Sequence, residues 1–161
     1  PGQKPTMYLS RNTEDAHQTI GSIIRNYTQQ GIQKKQIVVL TVKTEDTSIL
    51  SGISSVGGYP LVSNRNDNGI LFTSSRKFKG LESDVVIVVD VDDSCFLDDE
   101  KRRVFYVGSS RAKHFLDIVS VMNDEDTNSM VVRLTGEKKK NAKLALGSFL
   151  KGKIVSGSTT S

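Results

Sequence analysis

Continuous apolar runs, separated by amphipathic stretches, dominate the chain. The strands predicted over residues 36–42 and 85–91 have centres, IVVL and VVIVV, that are apolar at consecutive positions rather than at alternate ones. A strand without polar alternation is typical of a parallel sheet that is buried on both faces. Shorter apolar runs predict three further strands: residues 7–10, 69–74 and 114–121.

Helical spacing fills the segments between these runs. The first helix is predicted to begin at Asn12 or Thr13, either of which can cap it, and to end at Gly31. Its buried face consists of four apolar residues at helical spacing: Ile20, Ile23, Ile24 and Tyr27. Further helices are predicted over four segments: residues 47–53, 97–112, 128–134 and 141–150.

Strands therefore alternate with helices, which predicts an α/β fold of three layers: a mostly parallel sheet flanked by helices. One domain is predicted over residues 1–150. A connection rich in Gly and Asn, residues 57–68, surrounds a short apolar run at 59–62. Residues 151–161 are rich in Ser, Thr and Gly and are predicted to form a flexible tail.

Composition narrows the class of protein. The 161 residues suffice for one domain with a hydrophobic core. The single cysteine, Cys95, excludes an internal disulfide framework and favours a reducing, cytoplasmic location. With two histidines and no metal-ligand spacing, no metal site is expected in this chain. No apolar stretch is long enough to span a bilayer, so no membrane partner is expected. Pro1 in place of methionine indicates a piece of a longer protein.

The net charge of +4 permits a nucleic-acid partner but does not demand one. The first candidate for chemistry is the segment 74–82, SSRKFKGLE, which follows one predicted strand and precedes another. Ligands of parallel α/β sheets bind at the carboxyl ends of strands, where Lys79, Gly80 and Glu82 would meet a polar ligand. The alternative is an exposed basic loop, because charge runs are usually exposed.

The second candidate is Arg111. Val104, Val107 and Gly108 share one face of the predicted helix, and Arg111 falls on the same apolar stripe one turn later. An arginine there is costly unless its guanidinium finds a partner. The functional partner would be a phosphate. The structural partner would be one of three carboxylates near the buried strands: Asp90, Asp92 or Asp117.

Taken in order, these segments resemble motifs V and VI of the UvrD/Rep-type superfamily 1 DNA helicases. Residues 79–82, KGLE, resemble the core of motif V (residues 73–82), and residues 106–112, YVGSSRA, resemble the Y-V-A-x-T-R-A of motif VI (residues 103–112). The order and spacing match over residues 36–121. Five positions depart from the family pattern: Ser74 for Thr, Arg76 for His, Ser83 where many members have Phe, Gly108 for Ala and Ser110 for Thr. The large inserted subdomain is absent, which indicates a compact branch.

The resemblance implies the second, C-terminal RecA-like motor domain of an ATP-dependent DNA helicase. No G-x-x-x-x-G-K-[ST] sequence is present. ATP and Mg²⁺ would therefore be held mainly by the N-terminal RecA-like domain of the same parent chain, and the chain alone would be inactive. Arg111 would be catalytic, as an arginine finger that also binds the nucleotide.

The resemblance assigns further contacts. Lys79, Gly80 and Glu82 would bind the nucleotide, with Glu82 accepting from its sugar. Ser74, Ser75 and Arg76 would contact single-stranded DNA. Arg103 matches a family position and would support the nucleotide cleft, whereas Phe78 is expected to pack under its loop rather than stack on a base. The alternative function is a non-catalytic nucleic-acid or protein binding module that keeps the helicase-like fold.

Overall fold

The computed structural model describes residues 4–96, 99–136 and 141–156. Its described residues form one sheet of eight strands in the order β3-β4-β5-β2-β6-β7-β1-β8. The neighbouring strands run parallel except for β3 and β4, which form an antiparallel hairpin. The strands are β1 (Thr6–Ser10), β2 (Ile37–Thr41), β3 (Ser55–Val56), β4 (Tyr59–Val62), β5 (Ile70–Ser74), β6 (Ser83–Val89), β7 (Ala112–Val121) and β8 (Lys153–Ser156).

Helices lie on both faces of the sheet and are α1 (Thr13–Gln29), α2 (Asp99–Ser109), α3 (Asp124–Thr135) and α4 (Ala142–Leu150). Asn12 caps α1, because its side-chain oxygen accepts the Asp15 amide at 2.8 Å. Gly31, at a φ of +95°, follows the helix end. The predicted beginning and end of this first helix are thus confirmed.

The central strand β6 shows why the fold has three layers. Its residues are apolar at successive positions and point to alternate faces. Val86 and Val88 pack with α2, α3 and α4 on one face, while Val85 and Ile87 pack with α1 on the other. The predicted three-layer α/β fold with a mostly parallel sheet is confirmed.

The helix predicted over residues 47–53 is wrong, because this segment forms turns. The buried Asp90 carboxylate accepts the Ser48 hydroxyl at 2.5 Å and the Ile49 amide at 2.9 Å. These bonds hold the segment against the carboxyl end of β6, and such side-chain bonds compete with helical ones.

The flexible tail predicted from residue 151 is wrong for Lys153–Ser156, which form β8 beside β1. The Lys153 amide donates to the Pro5 carbonyl at 2.9 Å, and Ile154 packs against the core. Residues 157–161, and residues 97–98 of the predicted helix 97–112, lie outside the described part. In the described part, no helix is long and apolar enough to cross a membrane.

Candidate functional site

Residues 75–82, here called the crossing loop, join the carboxyl end of β5 to the amino end of β6. Strand β2 lies between these two strands, so the loop passes over it on the face that carries α2. The Ser75 amide and hydroxyl both donate to the Thr41 carbonyl, at 2.9 and 3.2 Å. These bonds anchor the beginning of the loop at the carboxyl edge of the sheet.

The body of the crossing loop is a pair of turns around Phe78. The Phe78 amide donates to the Ser74 carbonyl at 3.1 Å, and the Leu81 amide donates to the Phe78 carbonyl at 3.0 Å. Gly80 has a φ of +85°, a conformation that other residues adopt only with strain. Phe78 is 1% exposed, so the prediction that it packs under the loop is confirmed.

The two candidate segments meet at the amino edge of the sheet. Glu82 and Arg111 immediately precede the neighbouring parallel strands β6 and β7, and the Ser83 amide donates to the Arg111 carbonyl at 3.0 Å. Only the beginning of the crossing loop therefore lies at the carboxyl edge, where the whole segment 74–82 was expected. The loop is a crossover without a helix, so it carries its second half to the opposite edge.

A second contact joins the crossing loop to α2. A Cβ atom added at Gly108 would lie 2.6 Å from the Ser75 hydroxyl oxygen. The hydroxyl thus occupies the space that a larger residue at position 108 would need. This close approach gives a physical reason for glycine at a position where the helicase pattern has alanine.

Arg111 is half-buried, and its Nε is buried without a hydrogen-bond partner among the described residues. The three carboxylates proposed as structural partners are engaged elsewhere. Asp90 holds the turn at residues 47–53; Asp92 pairs with Lys43 at 3.0 Å; Asp117 accepts the Tyr27 hydroxyl at 2.5 Å. The buried-carboxylate alternative for Arg111 is therefore wrong within the described part of the chain.

The Lys43–Asp92 pair is stabilised in its charged form. Burial opposes ionisation of Asp92, but hydrogen bonds from Ser94 and Lys43 outweigh it and hold the pKa of the carboxyl below its usual value. Burial likewise acts against the Lys43 ammonium, yet the bond to Asp92 leaves its pKa raised. Asp92 is thus an ionised carboxylate whose partners in the described part of the chain are Lys43 and Ser94.

A recess of about 340 Å³ separates the crossing loop from α2. It is lined by Ser75, Arg76, Lys79, Arg103, Val104 and Val107. We call it the cationic recess, because three of these residues are cations, all three are exposed and the lining has no carboxylate. Like charges around one concavity create a positive potential that favours an anion.

Comparison with known proteins identifies the segment that carries both motifs. Residues 69–119 match the family model of the UvrD-like helicase C-terminal domain. The predicted resemblance is confirmed. This segment, about a third of the chain, is similar to the UvrD-like helicase C-terminal domain.

The crystal structure of the C-terminal domain of a possible DNA helicase from Lactobacillus plantarum WCFS1 is similar to the chain, with a TM-score of 0.58 and 21% sequence identity. The similarity covers 74% of this chain and 75% of that one. At this identity the similarity establishes the fold alone. No curated protein matches the chain.

The serines predicted to contact DNA are largely buried, at 7% exposure for Ser74 and 1% for Ser75. The Ser74 hydroxyl accepts the Lys77 amide at 3.2 Å, and the Ser75 hydroxyl donates to a backbone carbonyl. Arg76, by contrast, is exposed on the cationic recess. The serine hydroxyls therefore shape the loop that presents Arg76.

Sequence reasoning missed Arg65, which lies between β4 and β5 in the connection rich in Gly and Asn. Its guanidinium lies 5.4 Å from the centroid of the Phe78 ring, and its Nη2 donates to the Glu82 carbonyl at 3.1 Å. Nothing in the local sequence distinguishes this arginine from an exposed loop cation. The contact depends on pairing across 17 positions of the chain.

Proposed function

We propose that the domain is the second motor domain of an ATP-dependent DNA helicase, in which Arg111 acts as an arginine finger. The observation that carries this proposal is the half-buried Arg111 beside Glu82, with no carboxylate partner in the described part of the chain. A desolvated guanidinium without a counter-charge is unfavourable. A phosphate that arrives when two domains close would supply that charge.

The residues around Arg111 fit a nucleotide held between domains. The buried Nε of Arg111 has no hydrogen-bond partner among the described residues, and the exposed Glu82 immediately precedes the neighbouring strand. ATP would supply the scissile phosphoanhydride, and it would be held with Mg²⁺ mainly by the N-terminal domain, because this chain has no P-loop. Arg111 would neutralise charge on the γ-phosphate, while Lys79 and Glu82 would bind and orient the nucleotide and Gly80 would let the backbone approach.

The DNA contact is proposed at the cationic recess. Arg76 would hold a phosphate of a single strand, as the resemblance implies. Arg103, expected from the sequence to support the nucleotide cleft, lines the same recess on the facing helix, so we propose it instead as a second phosphate contact. Phosphate contacts of this kind position a strand without reading its sequence. Ser74 and Ser75, predicted to contact the strand, would contribute through the hydrogen bonds by which they shape the loop that presents Arg76.

The recess also supports the alternative function. Three exposed cations around one concavity would bind a nucleic acid even in a domain that had lost its motor role. The two functions differ in what Arg111 does, since a binding module has no need of a finger.

The test is turnover of ATP by the full-length protein with Arg111→Ala. We expect turnover to fall by roughly 10³- to 10⁵-fold while nucleotide binding is largely kept, because a finger stabilises the transition state more than the ground state. Arg111→Lys should restore little, because an ammonium lacks the planar fork. Arg25→Ala, on the exposed side of α1, is the matched control and should leave turnover unchanged.

Thermal unfolding separates catalysis from stability. Because Arg111 pairs with no carboxylate in the described part of the chain, its loss should leave the unfolding temperature nearly unchanged. A folded Arg111→Ala protein with near-normal ATP turnover would refute the motor proposal. DNA binding that persists in such a protein would favour the binding module.

A further inference from the structure

We infer that Arg65 is a positioning residue for nucleotide recognition, because it fixes the second half of the crossing loop from outside both motifs. The inference rests on the proposed function, in which Glu82 accepts a hydrogen bond from the nucleotide sugar. Its basis is the double contact of one guanidinium with Phe78 and with the Glu82 carbonyl.

The two ends of the crossing loop are held unequally. At the first end, two hydrogen bonds from Ser75 to Thr41 tie the loop to β2. Over residues 79–82, Leu81 is 50% exposed and Glu82 is exposed. Among the described residues, the bond from Arg65 is the hydrogen bond that reaches this stretch from outside the loop. The stretch that would meet the nucleotide thus depends on Arg65.

The geometry suits arginine specifically. Its guanidinium stacks on the one ring of the loop that is fixed in the core, and its fork still has a donor for the Glu82 carbonyl. The Phe78 ring therefore sets the place of the guanidinium, and the guanidinium sets the place of the Glu82 backbone. The Glu82 Cα is then held between this carbonyl and the start of β6, which limits the positions that its carboxylate can reach.

The experiment measures steady-state ATP hydrolysis by the full-length protein with ATP, 2′-deoxy-ATP and 3′-deoxy-ATP. Arg65→Met should raise KM for ATP by about fivefold, the size of one charge-assisted hydrogen bond at an exposed position, and change kcat less than twofold. The preference for ATP over the disfavoured deoxynucleotide should shrink toward that of Glu82→Gln. Arg65→Lys should restore part of the KM, because an ammonium can still donate to the carbonyl.

Two further variants are needed to interpret the KM and sugar preference of Arg65→Met. Adding Arg65→Met to Glu82→Gln should raise KM no further, because both changes act on one contact. Lys35→Met removes an equal charge from the same surface recess. Among the described residues Lys35 has no side-chain hydrogen bond or ion pair to the crossing loop, so the KM of this variant should match the unmodified protein. A purely structural role for Arg65 would lower the unfolding temperature and leave the sugar preference intact.

The possible failures are distinguishable. If the unmodified protein hydrolyses ATP with a sugar preference that Glu82→Gln weakens, but Arg65→Met keeps the original KM and preference, the inference is wrong and the proposed function stands. If the unmodified protein hydrolyses no ATP, or if Glu82→Gln changes neither KM nor preference, the proposed function fails at Glu82 and the inference falls with it.

Discussion

Replacing Asp117 with asparagine tests the free-energy cost of burying an ionised carboxylate within the sheet. Asp117 lies on β7, is 4% exposed and accepts the Tyr27 hydroxyl from α1 at 2.5 Å. Burial raises the pKa of the Asp117 carboxyl to about 6, although the hydrogen bond from Tyr27 acts in the opposite direction. The ionised form therefore opposes folding at neutral pH.

The magnitude follows from the shift. The pKa rises from 3.8 to about 6 on folding, and each unit is worth about 1.4 kcal/mol, so ionised Asp117 costs the folded state about 3 kcal/mol. Because the folded pKa is the higher one, the folded state binds the extra proton between about pH 4 and pH 6. The favourable contribution is present in acid and is lost as the pH rises through 6.

Asparagine is neutral at every pH and keeps an oxygen that accepts from Tyr27. The free energy of unfolding of Asp117→Asn, minus that of the unmodified chain, should therefore rise by about 2–3 kcal/mol between pH 4 and pH 7.5. A constant cost of the buried amide cancels in this comparison, as do the titrations of other groups that both proteins share. In a domain of this size the change corresponds to about 5–10 °C in unfolding temperature.

The assay is thermal or urea unfolding of both proteins at several pH values in this window. Asp46→Asn, at an exposed carboxylate, is the control and should differ from the unmodified chain by the same small amount at every pH. A difference for Asp117→Asn that does not change with pH would show that burial leaves the pKa of this carboxyl unperturbed, and would refute the reasoning.

Two further predictions concern the crossing loop and the cationic recess. Gly80→Ala and Gly31→Ala should each lower the free energy of unfolding by about 1–2 kcal/mol, because both glycines have a positive φ; an added Cβ would meet nothing within 4 Å, so the cost is one of backbone strain alone. ATP turnover by the full-length protein should fall for Gly80→Ala alone. Equal turnover in both variants would exclude a role for the loop backbone. Binding of the chain to single-stranded DNA should be weak and salt-sensitive. Arg103→Met should reduce the slope of log affinity against log salt by about 0.7, the value for one phosphate contact. An unchanged slope, which is the result expected for the control Arg25→Met, would show that Arg103 does not contact the DNA.

The strands were predictable because their signal is local. A run such as residues 85–89 is typical of an inner strand of a parallel sheet that is buried on both faces, and β6 has this position. The turns at residues 47–53 were not predictable, because their hydrogen-bond acceptor is Asp90, more than 40 positions away. Strand β8 was missed because its two apolar residues, Ile154 and Val155, stand among Ser, Gly and Lys.

The candidate site was predictable in composition but not in arrangement. The spacing of the two motifs identified Arg111 and the segment 74–82 before any fold was known. It did not indicate that the segment crosses from one edge of the sheet to the other, since a polar loop without a helix has no periodicity to read. Arg65 was not predicted for a related reason. Its contacts are with Phe78 and Glu82, and no local sequence pattern connects it to either residue.

The path of the crossing loop provides a physical link between the two edges of the sheet. From the end of β5 to the start of β6 the chain must travel most of the length of a strand and past β2, a straight path on the order of 20 Å. Nine fully extended steps would reach about 30 Å, and the two hydrogen-bonded turns around Phe78 shorten that reach substantially. The loop therefore has little slack. A displacement of Glu82 and Arg111 by a closing partner domain would be passed to Ser75 and the cationic recess, because Ser75 also packs against Gly108 of the helix that ends beside Arg111. A motor domain needs this kind of stiff connection between its nucleotide site and its DNA site, whereas a passive binding module does not.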